Sequence, residues 1–178
     1  GVAQDSWVHN SDKDTWKYYG DEEEPKLHTG WFEAVPPKDL DSDDHESGTS
    51  HWFYANSKGE IYRSDCKTID GKSYLFNSAG EMVTGLRILY YEDGKYSSYS
   101  SSEVDSADTV KNMNSDTQKL VYFESNGAAK TGTTTITLDG TSYTFSFKSN
   151  GSPRGVGETG ISDGYIYENG LSLTADED

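Results

Sequence analysis

The sequence predicts an all-β solenoid, a stack of β-hairpin repeats of about 20 residues interrupted by two polar insertions. Three observations predict it. A short aromatic–Asn–Gly motif recurs along the chain, Asp-Gly pairs recur between short runs of Tyr, Ile and Thr, and no segment shows sustained helical periodicity.

The copies follow in chain order. A degenerate one stands at Trp16-Lys17-Tyr18-Tyr19-Gly20. The next is Trp52-Phe53-Tyr54-Ala55-Asn56-Ser57-Lys58-Gly59-Glu60, and 21 residues on lies Ser73-Tyr74-Leu75-Phe76-Asn77-Ser78-Ala79-Gly80-Glu81. Tyr122-Phe123-Glu124-Ser125-Asn126-Gly127, Phe147-Lys148-Ser149-Asn150-Gly151 and Tyr165-Ile166-Tyr167-Glu168-Asn169-Gly170 complete the series. Interleaved corners carry glycine at Thr29-Gly30-Trp31, Thr84-Gly85-Leu86 and Thr131-Gly132-Thr133. Asp70-Gly71, Asp93-Gly94, Asp139-Gly140 and Asp163-Gly164 supply paired positive-φ positions, which predicts type I′ turns in tight hairpins. One hairpin cannot bury its own rings, so the units are expected to stack and bury them against each other.

Two stretches break the rhythm. Residues 36–48 are an acidic insertion, and residues 97–119 are polar and serine-rich. Both are expected on the surface, with helix confined to them. Ser106 is placed to cap one short helix carrying Val110 and Met113. The whole of residues 1–178 is expected to form one repeat-built domain.

Composition narrows function. Hydrophobic residues are 32% of the 178, against roughly 45–50% in ordinary domains, while aromatics are 13%. The apolar material is mostly rings, so a large core of branched aliphatics is not expected. The net charge of −16 excludes nucleic acid as a partner and disfavours an anionic membrane surface. No apolar run reaches the ~20 residues of a membrane span. The first residues carry no signal-peptide pattern, and Gly1-Val2 reads as a mature start or a cloning remnant. One cysteine, Cys66, makes no internal disulfide.

The stretches Trp52–Glu60, Ile69–Leu86 and Val121–Gly132 resemble the cell-wall-binding repeats. That group includes choline-binding modules of bacterial surface proteins, glucan-binding repeats of glucansucrases and sugar-binding repeats of large clostridial toxins. The likeness runs from Trp7 to Gly170 with the two insertions left over, about two-thirds of the chain. It implies a non-catalytic β-hairpin solenoid that binds a cell-wall or polysaccharide ligand on an extracellular or bacterial cell surface, as one module of a larger surface protein. The family's Gly-Trp corner stands at Gly30-Trp31, and Trp7 follows Ser6 where the family has glycine. Later corners carry Leu86 and Thr133, so a regular array of equivalent sites is not expected.

Little else points to chemistry. The 31 carboxylates include no pair that the sequence marks for acid–base work, His9, His28, His45 and His51 lack metal-ligand spacing, and no phosphate-binding glycine loop occurs. The chain is therefore expected not to be an enzyme, to need no cofactor and to hold no metal centre. Adventitious calcium at the acidic insertion is the exception weighed. Asp39, Asp41 and Asp43 alternate as in a calcium loop, but Asp44 and Ser50 occupy the places of its glycine and glutamate.

The tryptophans are confined to the first 52 residues. Trp16, Tyr18, Trp31, Trp52 and Tyr54 are the candidate ligand-binding residues, with Trp31 at the corner between units carrying Trp16 and Trp52. Rings suit two ligands. A pyranose lies flat on an aromatic face, and a quaternary ammonium is held in an aromatic cage by cation–π attraction. The main expectation is a carbohydrate-binding module for a neutral glucan, an α-glucan such as starch by preference. The alternatives are a choline-type cell-wall anchor with aromatic cages and a structural spacer without a small ligand.

Overall fold

In the computed structural model, residues 6–20 and 23–173 are described, and Gly1-Val2 lies outside them. The described residues are all-β with two short helices. Its strands and helices run β1 (Trp7–Asn10), β2 (Thr15–Tyr18), β3 (Gly30–Ala34), α1 (Ser42–Ser47), β4 (His51–Ala55), β5 (Asp65–Ile69), β6 (Lys72–Phe76), β7 (Met82–Val83), β8 (Gly85–Glu92), β9 (Lys95–Tyr99), α2 (Ala107–Lys111), β10 (Gln118–Phe123), β11 (Gly132–Leu138), β12 (Thr141–Phe147), β13 (Gly160–Ser162), β14 (Tyr165–Glu168) and β15 (Leu171–Ser172). They fall into two compact units, residues 1–65 with 76–82 and residues 66–75 with 83–178. Among the described residues no helix is long and apolar enough to cross a membrane.

The turns explain why these residues fold this way. All four Asp-Gly pairs hold both residues at positive φ, with Asp70 at 50° and Gly71 at 79°, as a type I′ turn requires. Ser6, in the place of a corner glycine, also sits at positive φ, 72° beside 71° for Gly30. The Asn–Gly motif is a second kind of turn. The Asn56 side-chain oxygen accepts from the backbone N–H of Lys58 and Glu60, and Gly59 N–H bonds back to the Asn56 carbonyl. Asn77 does the same for Ala79, Glu81 and Gly80. The Asn side-chain oxygen thus accepts from backbone N–H donors that the tight reversal would otherwise leave unpaired.

In the first unit the hairpins β1–β2 and β3–β4 are antiparallel, with Trp7 opposite Tyr18 and Phe32 opposite Phe53. Trp16 and Trp52 lie in the second strands of these hairpins. The core is largely aromatic: Trp7, Trp16, Phe32 and Phe53 are buried with Ala34, Ala55 and Ile61. Trp7 donates its indole N–H to the Val35 carbonyl at 2.9 Å, so the buried ring leaves no polar atom unpaired.

The second unit holds a three-stranded sheet, β10-β8-β9, and a five-stranded sheet, β11-β12-β15-β14-β13. Its cores depart from the composition-based expectation. Leu86, Ile88, Val110, Leu120, Leu138 and Leu171 are buried together, so branched aliphatics are concentrated here rather than scarce throughout. The serine-rich insertion is not a surface loop either. Ser106 caps α2 as expected, accepting from the Thr109 N–H, but Val104, Ala107, Val110 and Met113 are all buried. Apolar residues every third position give this segment one inward face despite its polar average.

Close packing in this unit yields a stability prediction. A methyl group on Gly157 would lie 2.6 Å from the Asn169 carbonyl carbon and oxygen, and backbone cannot swing aside. Gly157→Ala should cost about 2 kcal/mol through overpacking. Gly94→Ala, with open space around its Cβ but φ at 73°, should cost about 1 kcal/mol from conformation alone. Urea midpoints of the two variants check the difference.

Candidate functional site

Strand alternation puts Trp31, Glu33, Trp52 and Tyr54 on one face of the β3–β4 hairpin and Phe32, Ala34, Phe53 and Ala55 on the other. The second set is buried in the core. On the first face Trp31 and Tyr54 are directly opposite in register, with ring centroids 5.1 Å apart and planes at 74°. The turn at Asn56 then returns the chain alongside β4. The Tyr62 N–H bonds to the Tyr54 carbonyl at 2.9 Å, which brings the two phenol rings to 5.2 Å. Phe76, at the end of β6, is fully buried and lies 5.8 Å from Trp31 and 6.0 Å from Tyr62. Trp31, Tyr54, Tyr62 and Phe76 therefore close a circuit of ring contacts, with the first three part-exposed.

The five expected site residues divide. Trp31 and Tyr54 meet in this circuit, and Trp52 shares their face with 43% of its surface exposed. Trp16 and Tyr18 are elsewhere. Trp16 is buried and stacked on His9 at 4.3 Å, and Tyr18 stacks on Phe32 at 5.1 Å with planes 4° apart. Their hairpin turns that face into the core, so they support the fold rather than offer an open ring. Tyr62 and Phe76 were missing from the expected set. The signal for Tyr62 was present, since it stands two residues after a copy of the turn motif. Phe76 belongs to the next copy, and only folding brings it to Trp31.

The second unit has a shallow cavity of about 270 Å³ lined by Gln118, Lys119, Lys148, Asn150, Pro153 and Asn169, among others. No aromatic side chain lines it, so it offers neither stacking nor a cage.

A pair of carboxylates does stand out, which the sequence did not mark. Glu81 is buried, and that burial, with the Asp41 carboxyl beside it, pushes its pKa up to about 7. Hydrogen bonding with Glu81 holds the Asp41 carboxyl below its usual value. Separated pKa values are a feature of acid–base pairs. Here, however, the two groups bond each other, whereas glycosidase carboxylates stand roughly 5–10 Å apart across a scissile bond. Of the acidic insertion, Asp41 and Asp44 face this cluster, while Asp39 and Asp43 are exposed.

No family model and no curated protein matches the chain. Among solved structures it is similar to the choline-binding domain of Spr1274 of Streptococcus pneumoniae, at 23% identity over 44% of this chain and 82% of that one, TM-score 0.32. It is similar to choline binding protein F of the same organism at 20% identity, over 97% of this chain and 48% of that one, TM-score 0.35. The cell-wall endolysin of phage Cp-1 complexed with choline shares 15% identity over 100% of this chain and 39% of that one, TM-score 0.39. The chain thus spans about half or less of the length of the last two. At 15–23% identity and TM-scores of 0.32–0.39, these likenesses leave function to the chain's own residues.

Proposed function

We propose that this chain is a non-catalytic binding module of a bacterial surface protein, and that it holds a choline-type quaternary ammonium on the cell wall at the part-exposed rings of Trp31, Tyr54 and Tyr62, backed by the buried Phe76. The observation that carries the reading is the arrangement of those rings. Their planes meet at 74°, 25°, 64° and 35° around the circuit, so their faces turn in several directions rather than lining up as one flat platform. A rounded trimethylammonium group makes use of several ring faces at once, each within about 6 Å of the charge. A flat sugar ring makes use of one. The net charge of −16 also attracts a cation and does nothing for a neutral glucan.

A second reading keeps the neutral glucan. Trp52 is 43% exposed on the same face and presents the kind of single open ring a pyranose stacks on. The two readings separate experimentally. The purified protein should be retained on a choline resin and eluted by free choline, and raising the salt should weaken it modestly as the acidic surface is screened. On the glucan reading, mobility in gels containing starch, dextran or β-glucan should fall while choline resin retains nothing, and salt should have almost no effect. Release of reducing sugar by the protein would overturn the non-catalytic part of the proposal.

A further inference from the structure

Four side chains converge at the base of the acidic insertion. Asp41 is the N-cap of α1, and one of its oxygens accepts from the Asp44 N–H at 3.1 Å. Asp44, one turn on, contacts Nε2 of His51 at 2.5 Å through Oδ2. His51 opens β4, and the same Nε2 lies 3.3 Å from Oε2 of Glu81. Glu81 closes the Asn77 turn, and Asn77 donates to its Oε1 at 2.9 Å, which fixes the carboxyl. One donor atom from each of the four lies within 4.8 Å of all the others.

One atom in this cluster is unaccounted for. Glu81 is 94% buried, its Oε2 is closed to solvent, and no N–H or hydroxyl group donates to that oxygen. The His51 nitrogen at 3.3 Å is already engaged with Asp44. A buried carboxylate oxygen with no N–H or hydroxyl donor is costly. Charge adds to the problem. Three carboxylates, Asp41, Asp44 and Glu81, face the one imidazole of His51.

We propose that Asp41, Asp44, His51 and Glu81 form a binding site for one divalent transition-metal ion of the zinc type. Such an ion gives the orphaned Glu81 oxygen a partner and offsets the excess negative charge together. The donor set selects the class of ion. Zinc takes four nitrogen and oxygen ligands at about 2.0–2.2 Å, which places neighbouring donors roughly 3.3–3.6 Å apart. The His51–Glu81 spacing of 3.3 Å already matches, and His51 and Asp44 need to separate by about 1 Å. Calcium and magnesium prefer shells of six or more oxygens, and an imidazole nitrogen suits zinc better. A bound ion would tie the cap of α1, the start of β4 and the Asn77 turn together. It would therefore act on the stability of the first unit and not on the ring cluster.

The test uses the full chain, stripped with chelator and titrated with zinc chloride at about 0.15 M salt, with calcium in excess to occupy scattered surface carboxylates. The expected result is one zinc per chain, a raised melting temperature, and visible d–d absorption of a four-coordinate site when cobalt replaces zinc. His51→Ala and Glu81→Gln should each weaken zinc binding by roughly a hundredfold. Asp39→Asn and Asp43→Asn, exposed acids of the same insertion, should leave it unchanged. Should Glu81→Gln fail to fold, His51→Ala and Asp44→Asn, both at part-exposed positions, carry the test. Failure to retain zinc, several weak ions per chain, or full-affinity binding by His51→Ala would each overturn the site.

Discussion

Replacing Phe53 by alanine is expected to lower the stability of the first unit by about 3–5 kcal/mol, the range for losing a buried aromatic ring. Phe53 is fully buried, with its ring 5.0 Å from Trp7 and 5.6 Å from Phe32. Among the described residues the core it belongs to has only seven buried members, most of them aromatic or alanine, so little aliphatic material can collapse into the space. Domains are stable by roughly 5–15 kcal/mol in total, so the loss should bring the unit close to unfolding. All four tryptophans, Trp7, Trp16, Trp31 and Trp52, lie in this unit, so tryptophan fluorescence during urea unfolding reads it selectively. Ile161→Ala, 80% exposed on β13, should change stability by less than about 0.5 kcal/mol. A Phe53→Ala midpoint shift no larger than that of Ile161→Ala would show that the cluster of Trp7, Phe32 and Phe53 is not the core of the first unit.

The second large effect is expected at the open face. Trp31→Ala should weaken choline binding at least tenfold, because each desolvated cation–π contact is worth up to about 2 kcal/mol and tenfold is about 1.4 kcal/mol. Tyr62→Ala should do the same while leaving most of the melting temperature intact, since Tyr62 is part-exposed. Trp16→Ala behaves differently. Its ring is buried, so the loss should appear as unfolding, and any fall in binding should track the fraction unfolded. Trp52→Ala should leave choline affinity within about twofold, because Trp52 stands outside the ring circuit. Calorimetric titration alongside thermal melts separates these four outcomes.

Much of the fold is legible in the sequence because its turns are chemically specific. An Asp-Gly pair between strands leaves few backbone options, and all four such pairs adopt the expected conformation. Ser6 shows the rule from the other side, since the corner demands positive φ and the chain accepts that strain without glycine. The serine-rich insertion was harder. Its composition is polar, and four apolar residues at a spacing of three were outweighed by their neighbours, yet they turn it into core. Branched aliphatics were likewise diluted in the whole-chain average and concentrated in one unit.

The candidate site was half legible. Period-2 alternation correctly paired Trp52 with Tyr54 on one face, and cross-strand register added Trp31. Alternation alone does not say which face of a hairpin turns inward, which is why Trp16 and Tyr18 looked equivalent to Trp52 and Tyr54. The Asp41, Asp44, His51 and Glu81 cluster was beyond reach for another reason. His51 and Glu81 are 30 residues apart on different repeats, and metal-ligand spacing is readable only when the ligands share a helix or a turn.

The cation reading of the ring cluster is tested most directly by one comparison. Choline and its neutral carbon isostere, 3,3-dimethylbutan-1-ol, have nearly the same shape and differ in charge. Calorimetric titration of each into the wild-type chain should show choline binding at least tenfold tighter, as cation–π attraction and an acidic surface require. Equal binding of the two would contradict the account, as would absence of choline binding by a folded protein.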